Sequence, residues 1–262
     1  MDGDSSGLHS MPMRQDLFLS PHSDDACFSL GRFAQQRGTG TLLTIFTTSR
    51  YRGDRIGTDI DGVRAITRTR FAEDARFADA CGLRPQWLRF PDALMRGQRP
   101  FEIGPAQALS IEIADYVMRA VRANVLGLRL QPRPWLFCPM GIGGHVDHVA
   151  LALLVLHELA ALRMHFRVAF YEDLHYASDP VRRSEGLRRF RELCAGHKVE
   201  RHALALGDTA SQKAKMKLVQ LYESQLTPGI QAIGAYTPAD AERPQPHEAV
   251  WIVQDEAHQR AG

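Results

Sequence analysis

Short apolar runs alternate along the chain with longer segments whose apolar residues recur at helical spacing. Short apolar runs between turn residues are typical of buried strands, and the three-to-four-residue period is typical of helices. Strands are predicted at 17–20, 42–48, 87–90, 135–138, 167–172, 201–206 and 249–253. Helices are predicted at 27–34, from 63 to about 80, and at 106–123, 146–162, 180–194 and 208–225, the last with Asp208 as N-cap. This alternation predicts an α/β fold, a Rossmann-like and mostly parallel sheet flanked by helices on both faces.

The length of the chain favours one domain. An α/β fold of 262 residues commonly forms a single compact unit, which we expect to span residues 16–262. Residues 1–15 are polar and lack the apolar core of a signal peptide, so we expect a disordered N-terminal segment there.

Composition and charge narrow the class of partner. Apolar residues make up 44% of the chain and charged residues 24%, the balance of an ordinary globular protein. The net charge is only +2 and the arginines are scattered, so neither nucleic acid nor a membrane surface is expected as a partner. No apolar run is long enough to cross a bilayer. The four cysteines lack the CxxC spacing, which argues against a thiolate zinc site and a disulfide framework and favours a reducing, cytoplasmic compartment.

Two polar motifs follow predicted strands. Pro21-His22-Ser23-Asp24-Asp25-Ala26 comes directly after the first strand, and His145-Val146-Asp147-His148 comes after the turn at 141–144. The carboxyl ends of parallel strands share one edge of a sheet, so both motifs can converge there. Imidazole nitrogens and carboxylate oxygens suit zinc, and a catalytic zinc ion takes three protein ligands. Two histidines and one aspartate would complete such a set.

In these motifs the chain resembles the LmbE-like family, also called the PIG-L family, of zinc-dependent N-deacetylases. Its members carry a His-x-Asp-Asp motif and a later His-x-Asp-His motif. Further similar segments are Arg70-Phe71-Ala72-Glu73-Asp74, Phe90-Pro91-Asp92-Ala93, Tyr171-Glu172-Asp173 and Tyr222-Glu223-Ser224-Gln225, so the resemblance covers most of the chain. It implies that His22, Asp25 and His148 bind zinc or another divalent metal.

The resemblance also implies catalytic roles for the remaining motif residues. Asp24 would be the general base that takes a proton from the attacking water and returns it to the departing amine. His145, if protonated, would donate a hydrogen bond to the tetrahedral oxyanion. Asp147 would hold His145 in the charge state that this donation needs. Arg70 and Asp92 match family positions that contact the sugar.

Each of these residues also has a structural alternative. The three metal ligands could be polar loop and cap residues, Asp24 could cap the following helix, and His145 with Asp147 could form a solvent-facing turn. Arg70 and Asp92 could be solvated surface residues. Glu172, Asp173 and Tyr176 follow a predicted strand and could be turn residues or site residues. Tyr222 is expected in the core, and no role is predicted for His157, His165, His175, His197 and His202.

Three positions depart from the family pattern. Ser23 stands where Pro is common, and Ala26 stands where Glu is common. Some natural-product deacetylases of the family also have Ala at the position of Ala26. Neither position supplies a metal ligand in the implied site. Gly143 stands where relatives of the mycothiol pathway carry a Tyr, so a proton-donating role for that Tyr cannot be transferred.

Together these observations predict a zinc-dependent hydrolase. Its expected partner is a small N-acylated molecule, and its expected reaction is removal of an acetyl group from an amino sugar or a sugar-bearing natural product. One alternative is an amidase acting on a non-sugar metabolite such as a thiol conjugate, and the other is a catalytically silent, sugar-binding member of the fold. The loops at 49–62 and 96–104 are expected to determine which substrate is accepted.

Overall fold

A computed structural model describes residues 16–53, 55–125, 132–206, 208–236 and 245–254. The N-terminal segment expected at 1–15 lies outside the described residues. The strands are β1 Leu17–Ser20, β2 Gly40–Thr44, β3 Tyr51–Arg52, β4 Arg55–Ile56, β5 Leu83–Trp87, β6 Trp135–Pro139, β7 Arg167–Tyr171, β8 Val199–Ala205 and β9 His247–Val253. The helices are α1 Asp25–Arg37, α2 Ile60–Ala80, α3 Ala106–Ala123, α4 Val146–His157, α5 Leu159–Arg163, α6 Leu174–Ala177, α7 Pro180–Leu193 and α8 Thr209–Val219, with 3-10 turns at Glu223–Gln225 and Pro228–Ala235.

Seven strands form the main sheet in the order β5-β2-β1-β6-β7-β9-β8. The first five are parallel to their neighbours, whereas β9 runs antiparallel to both β7 and β8. The short strands β3 and β4 form a separate antiparallel pair. The prediction of a mostly parallel α/β sheet is therefore confirmed.

The strand order reverses direction at the centre of the sheet. From β1 the chain moves outward through β2 to β5, and it then returns to β6 on the other side of β1 before continuing to β7. Because parallel crossovers are almost always right-handed, opposite directions of travel place their helices on opposite faces. In agreement, α1 packs against α8, while α3 packs against α4. The carboxyl ends of β1 and β6 therefore meet at the switch point where ligands bind in such sheets.

The first edge of the sheet differs from the prediction. The strand expected at 87–90 is instead β5, Leu83–Trp87, which pairs with β2 from Gly40↔Leu83 to Thr44↔Trp87. An edge strand has a hydrogen-bonding neighbour on one side only, so it tolerates Pro85 and exposed polar residues that hide its apolar pattern. The predicted strand therefore shares only Trp87 with the observed strand.

Two predicted helices are shorter than expected. The segment 146–162 forms two helices, α4 and α5, which are separated at Glu158. Helix α8 starts after Asp208, whose carboxylate accepts a hydrogen bond from Ser211 N at 2.8 Å, so the predicted cap is confirmed. The helix ends at Val219, and a 3-10 turn completes the segment.

Within the described part of the chain, no helix is both long enough and apolar enough to cross a membrane. All four cysteines are buried and unpaired. The four sulfur atoms therefore contribute to the core as small apolar groups.

Candidate active site

The first motif forms the loop between β1 and α1. Asp25 is the first residue of the helix, and its Oδ2 atom accepts a hydrogen bond from His22 N at 2.7 Å. On the other side of the loop, Ser20 Oγ accepts a hydrogen bond from Ala26 N at 3.0 Å. These bonds within a short loop aim the side chains of His22, Asp24 and Asp25 out of the end of the sheet.

The second motif begins α4 after a glycine turn. Gly141 and Gly143 have φ angles of +80° and +87°, which favour glycine. His145 is the N-cap of α4, and its Nδ1 atom accepts a hydrogen bond from Asp147 N at 3.3 Å. The turn is anchored by Asp173, whose Oδ2 atom accepts a hydrogen bond from Ile142 N at 2.8 Å.

The two motifs bring three predicted ligands together. Asp25 Oδ2 lies 3.1 Å from His22 Nδ1 and 3.1 Å from His148 Nε2. One nitrogen each of His22, His145 and His148 also lie within 4.8 Å of one another. All four side chains are buried or largely buried. Their donor atoms therefore surround one small volume at the switch point.

The chemistry of this donor set fits a divalent cation. His148 Nε2 is buried and forms no hydrogen bond within the described residues, although it lies close to Asp25. An unpaired buried nitrogen is costly unless something else engages it. The other nitrogen, Nδ1, lies 2.7 Å from Asp173 Oδ1, the carboxylate contact that commonly orients a ligating histidine. The site thus offers imidazole and carboxylate donors with one imidazole already oriented.

Asp24 lies beside this donor set and does not cap the helix. It occupies the N-cap position of α1 but makes no capping hydrogen bond. Its Oδ1 atom instead accepts a hydrogen bond from Arg70 Nη2 at 2.8 Å, and its side chain lines a cavity. Burial, and then the charge of Asp25, raise the pKa of Asp24 above its usual value, although Arg70 and His22 oppose the rise. A raised pKa suits a carboxylate that exchanges protons near neutral pH.

Asp147 contacts different partners from the one expected. Its Oδ2 atom lies 2.9 Å from His22 Nε2 and accepts a hydrogen bond from Ala93 N at 3.1 Å, and its Oδ1 atom forms an ion pair with Arg96. The distance from Asp147 Oδ2 to His145 Nδ1 is 4.0 Å, which is too long for a hydrogen bond. The carboxylate therefore contacts His22, and only the backbone N–H of Asp147 bonds to His145.

This arrangement determines which nitrogen of His145 carries the proton. Burial, and then the charges of His22 and His148, hold the pKa of His145 well below its ordinary value, so the ring is neutral. Nδ1 accepts the bond from Asp147 N, which leaves Nε2 as the protonated nitrogen. A neutral His145 can therefore still donate a hydrogen bond, and the protonated ring proposed from the sequence is not required.

The cavity above the donor set has a volume of about 410 Å³. Arg70 and Asp92 line it and are 4% and 5% exposed, so neither is a solvated surface residue. Tyr51 and Phe101, from the two loops expected to set specificity, are partly exposed at its edge. The further lining residues are His22, Asp24, Asp25, Phe28, Ala93, Leu94, Pro100, His145, His175, Tyr176, Arg182, Gln225, Thr227 and Ile230.

Two further residues lie at the site: His175 lines the cavity, although no role was predicted for it, and Asp173, expected as a turn or site residue, contacts His148. Both follow the carboxyl end of β7, the strand next to β6, so their position at the same sheet edge was an available signal. Glu172, in contrast, is a structural residue that binds Arg183 and Arg201 away from the cavity. Tyr222 is fully buried, as expected of a core residue.

Two acidic residues of α2 bind the segment at 222–225, which is one of the segments similar to the family. Glu73 accepts hydrogen bonds from Ser224 N at 2.8 Å and Ser224 Oγ at 2.6 Å. Asp74 accepts a hydrogen bond from the Tyr222 hydroxyl at 2.8 Å. These contacts hold the segment at 222–225 against α2, which places Gln225 on the wall of the cavity.

Comparison with known proteins gives a family match and one related sequence. Residues 17–159 match the family model described as PIG-L, GlcNAc-PI de-N-acetylase. The chain is 34% identical over 186 residues to the 2'-N-acetylparomamine deacetylase of Streptomyces fradiae. That alignment covers 68% of this chain and 63% of the relative, so the chain spans less than two thirds of that protein's length.

Two solved structures have a similar fold. The A40926 pseudoaglycone deacetylase Dbv21 has a TM-score of 0.65 at 19% identity, over 94% of this chain and 99% of that one. The zinc-inhibited form of the teicoplanin deacetylase Orf2 has a TM-score of 0.64 at 18% identity, over 93% and 100%. At these identities the similarity concerns the fold.

Proposed function

The chain belongs to the PIG-L family, and on that basis we propose that it is a zinc-dependent N-deacetylase that hydrolyses the N-acetyl group of an amino sugar. The proposed zinc ligands are His22, Asp25 and His148. The observation that carries the proposal is the convergence of these donors: His22 and Asp25 line the 410 Å³ cavity beside Asp24 and His145, and the buried His148 lies 3.1 Å from Asp25.

Each motif residue then has a task in amide hydrolysis. The three ligands would hold a zinc ion, which would supply Lewis acidity to the acyl carbonyl and to the attacking water. Asp24 accepts a proton from that water as the water oxygen forms a bond to the acyl carbon. The Nε2–H of His145 donates to the negative charge that develops on the acyl oxygen. When the C–N bond breaks, Asp24 returns the proton to the nitrogen, and acetate and a free amine are the products.

Arg70 and Asp147 position these groups. The bond from Arg70 holds the Asp24 carboxylate at the edge of the cavity. The backbone N–H of Asp147 orients the His145 ring, while its carboxylate contacts His22. Both motifs are therefore supported by contacts that a silent, sugar-binding protein has no need to keep.

The walls of the cavity support an amino-sugar substrate. Asp92 Oδ1 accepts a hydrogen bond from Met95 N at 2.8 Å, and the carboxylate lines the cavity, where it can accept from a sugar hydroxyl. Tyr51 and Phe101 offer ring faces on which the apolar side of a sugar can pack. The curated relative is named for 2'-N-acetylparomamine, an N-acetylated amino sugar, which makes such compounds the first to test.

The proposal is tested by metal content and turnover together. Protein purified without chelator should contain about one zinc ion per chain, and His22→Ala and His148→Ala should lose it. A panel of 2'-N-acetylparomamine, N-acetylglucosamine and an N-acetylated thiol conjugate should release acetate from a sugar member only. Asp24→Asn should keep its zinc and lose about 100- to 10,000-fold in kcat.

Three results would count against the proposal. If the native protein takes up no metal, the proposed zinc-dependent reaction is wrong. Activity on the thiol conjugate alone would replace the sugar with a non-sugar substrate. Full activity in Asp24→Asn would show that Asp24 is not the general base.

A further inference from the structure

A further histidine, His175, faces the proposed metal site from another strand end. His175 lies in the short helix α6, directly after β7, and its side chain is 13% exposed. Its Nε2 atom lies 3.4 Å from Asp25 Oδ1. One donor atom each of Asp25, His148 and His175 lie within 4.8 Å of one another. His175 therefore belongs to the donor set by position, although it lies outside both sequence motifs.

The distances from the Asp25 oxygens to the three imidazoles match the spacing between ligands of one ion. Asp25 Oδ2 lies 3.1 Å from nitrogens of His22 and His148, and Asp25 Oδ1 lies 3.4 Å from His175 Nε2. Ligand atoms about 2.0–2.1 Å from a tetrahedral zinc ion are roughly 3.3 Å apart. The Asp25 carboxylate thus contacts all three imidazoles, those of His22 and His148 through Oδ2 and that of His175 through Oδ1.

His175 also lacks the hydrogen bond at its second nitrogen that a structural histidine commonly has. It makes no hydrogen bond with any described residue, and its Nδ1 atom is buried without a partner. A buried imidazole nitrogen without a hydrogen-bond partner is unfavourable, and here Nε2 has only the 3.4 Å contact with Asp25 Oδ1. In contrast to His148, whose Nδ1 atom lies 2.7 Å from Asp173 Oδ1, the His175 ring has no carboxylate at its Nδ1 atom among the described residues and is held by ring packing against Tyr176 and Phe28.

We propose that His175 is a fourth, exchangeable protein ligand to the metal, an inference that rests on the proposed function. A catalytic zinc ion keeps one position open for water or substrate. His175 would fill that position in the substrate-free enzyme and would leave it when water and substrate enter the site. The lack of a hydrogen bond at Nδ1 allows this exchange, because a ligating histidine is normally held through its second nitrogen.

The number of imidazole ligands tests the proposal directly. X-ray absorption at the zinc edge of the substrate-free, zinc-loaded full chain should show three imidazoles in the native protein and two in His175→Ala. Competition with a chromophoric chelator should show zinc binding weakened by about 10- to 100-fold in the variant. His175→Gln should behave like His175→Ala, because an amide can replace the contact with Asp25 but is a poor zinc ligand.

Two control variants separate this proposal from the proposed function. His157→Ala removes an exposed histidine at the end of α4 and should leave both measurements unchanged. His148→Ala should lose the metal outright. If His175→Ala keeps the native imidazole count and zinc affinity while His148→Ala loses the metal, the fourth ligand is rejected and the proposed function stands.

The remaining outcomes are also decisive. Native-like affinity in His175→Gln with a reduced affinity in His175→Ala would make His175 a hydrogen-bonding partner of Asp25 and would overturn the proposal. A native protein that binds no zinc would overturn both proposals. Circular dichroism of each variant identifies any loss of metal that follows from unfolding.

Discussion

Asp173 Oδ1 lies 2.7 Å from His148 Nδ1, while Asp173 Oδ2 accepts a hydrogen bond from Ile142 N at 2.8 Å. One carboxylate therefore fixes both the ring of a proposed zinc ligand and the glycine turn that precedes it. His148 and Asp173 are both fully buried, so water cannot replace either bond. The contact links the strand end of β7 to the motif that follows β6.

Replacing Asp173 with Asn should weaken the metal site. A carboxylate accepts both bonds, whereas an amide has one acceptor oxygen and must leave either His148 or Ile142 facing its NH₂ group. Zinc affinity should fall by about 10- to 100-fold, as measured by chelator competition. Asp179→Asn, at the exposed N-cap of α7, is the matched control and should leave the zinc affinity unchanged. Native zinc affinity in Asp173→Asn would show that the contact does not orient the ligand.

Gly143→Ala should damage the site through Tyr176. A Cβ atom at position 143 would lie 2.4 Å from Tyr176 Cγ, and the φ angle of +87° is itself unfavourable for alanine. Strain and overpacking together should lower the free energy of unfolding by about 2 to 4 kcal/mol. Because the Tyr176 ring lines the cavity, kcat/KM should fall by about 10- to 100-fold.

Gly97→Ala separates strain from displacement of the ring. Gly97 has a φ angle of +70°, but a Cβ atom there meets nothing within 4 Å. Urea unfolding should show a loss of about 1 kcal/mol with unchanged kcat/KM. Equal effects of the two substitutions on stability and activity would exclude a specific role for the contact with Tyr176.

Glu172→Gln should destabilise the fold. The fully buried Glu172 carboxylate accepts hydrogen bonds from Arg183, Arg201, Tyr236 and Trp251. Although burial opposes the shift, Arg183 and Arg201 lower the pKa of Glu172 to about 2. Its contribution is therefore present above the unfolded pKa and is lost as the pH falls towards 2. At neutral pH, removal of this charge should lower the free energy of unfolding by about 3 kcal/mol.

The control for Glu172→Gln is Glu192→Gln. Glu192 forms an exposed ion pair with Arg188 at 2.7 Å, so its loss should change the free energy of unfolding by less than about 1 kcal/mol. Urea denaturation at pH 7 measures the free energy of unfolding of both variants. Similar effects at the two positions would contradict a structural role for the buried network.

Asp74→Asn should change how stability depends on pH. Burial raises the pKa of Asp74 to about 7, although hydrogen bonds from Thr44, Trp87 and Tyr222 oppose the rise. The folded pKa lies above the unfolded value of 3.8, so this group favours folding below that value and loses its contribution as the pH rises through 7. The linked loss is roughly 4 kcal/mol.

The asparagine imitates the protonated acid and does not titrate. The stability of the native protein relative to Asp74→Asn should therefore fall between about pH 4 and pH 7. Urea unfolding over this pH range provides the measurement. A constant difference between the two proteins would show that the Asp74 carboxyl is charged throughout.

Much of this protein could be read from local patterns. The two motifs identified His22, Asp24, Asp25, His145 and His148 because the first motif directly follows β1 and the second follows the glycine turn after β6. Within each motif the residues are neighbours in the sequence, and the parallel sheet brings the two motifs together at one edge. The residues of the edge strand β5 were predicted wrongly, because the alternation of apolar and polar residues is weak in a half-exposed strand that contains proline.

The partners of those residues depended on long-range packing. Asp147 was expected to serve His145, but the fold brings His22, Ala93 and Arg96 to its carboxylate from distant segments. His175 reaches Asp25 across 150 positions of the chain, a contact that no spacing within a motif reveals. The amino-acid sequence alone determined the fold class and the residues of the two motifs, because periodicity and strand ends are local properties. Only the tertiary structure decided which carboxylate orients which imidazole, because such contacts depend on how strands and helices pack across the whole sheet.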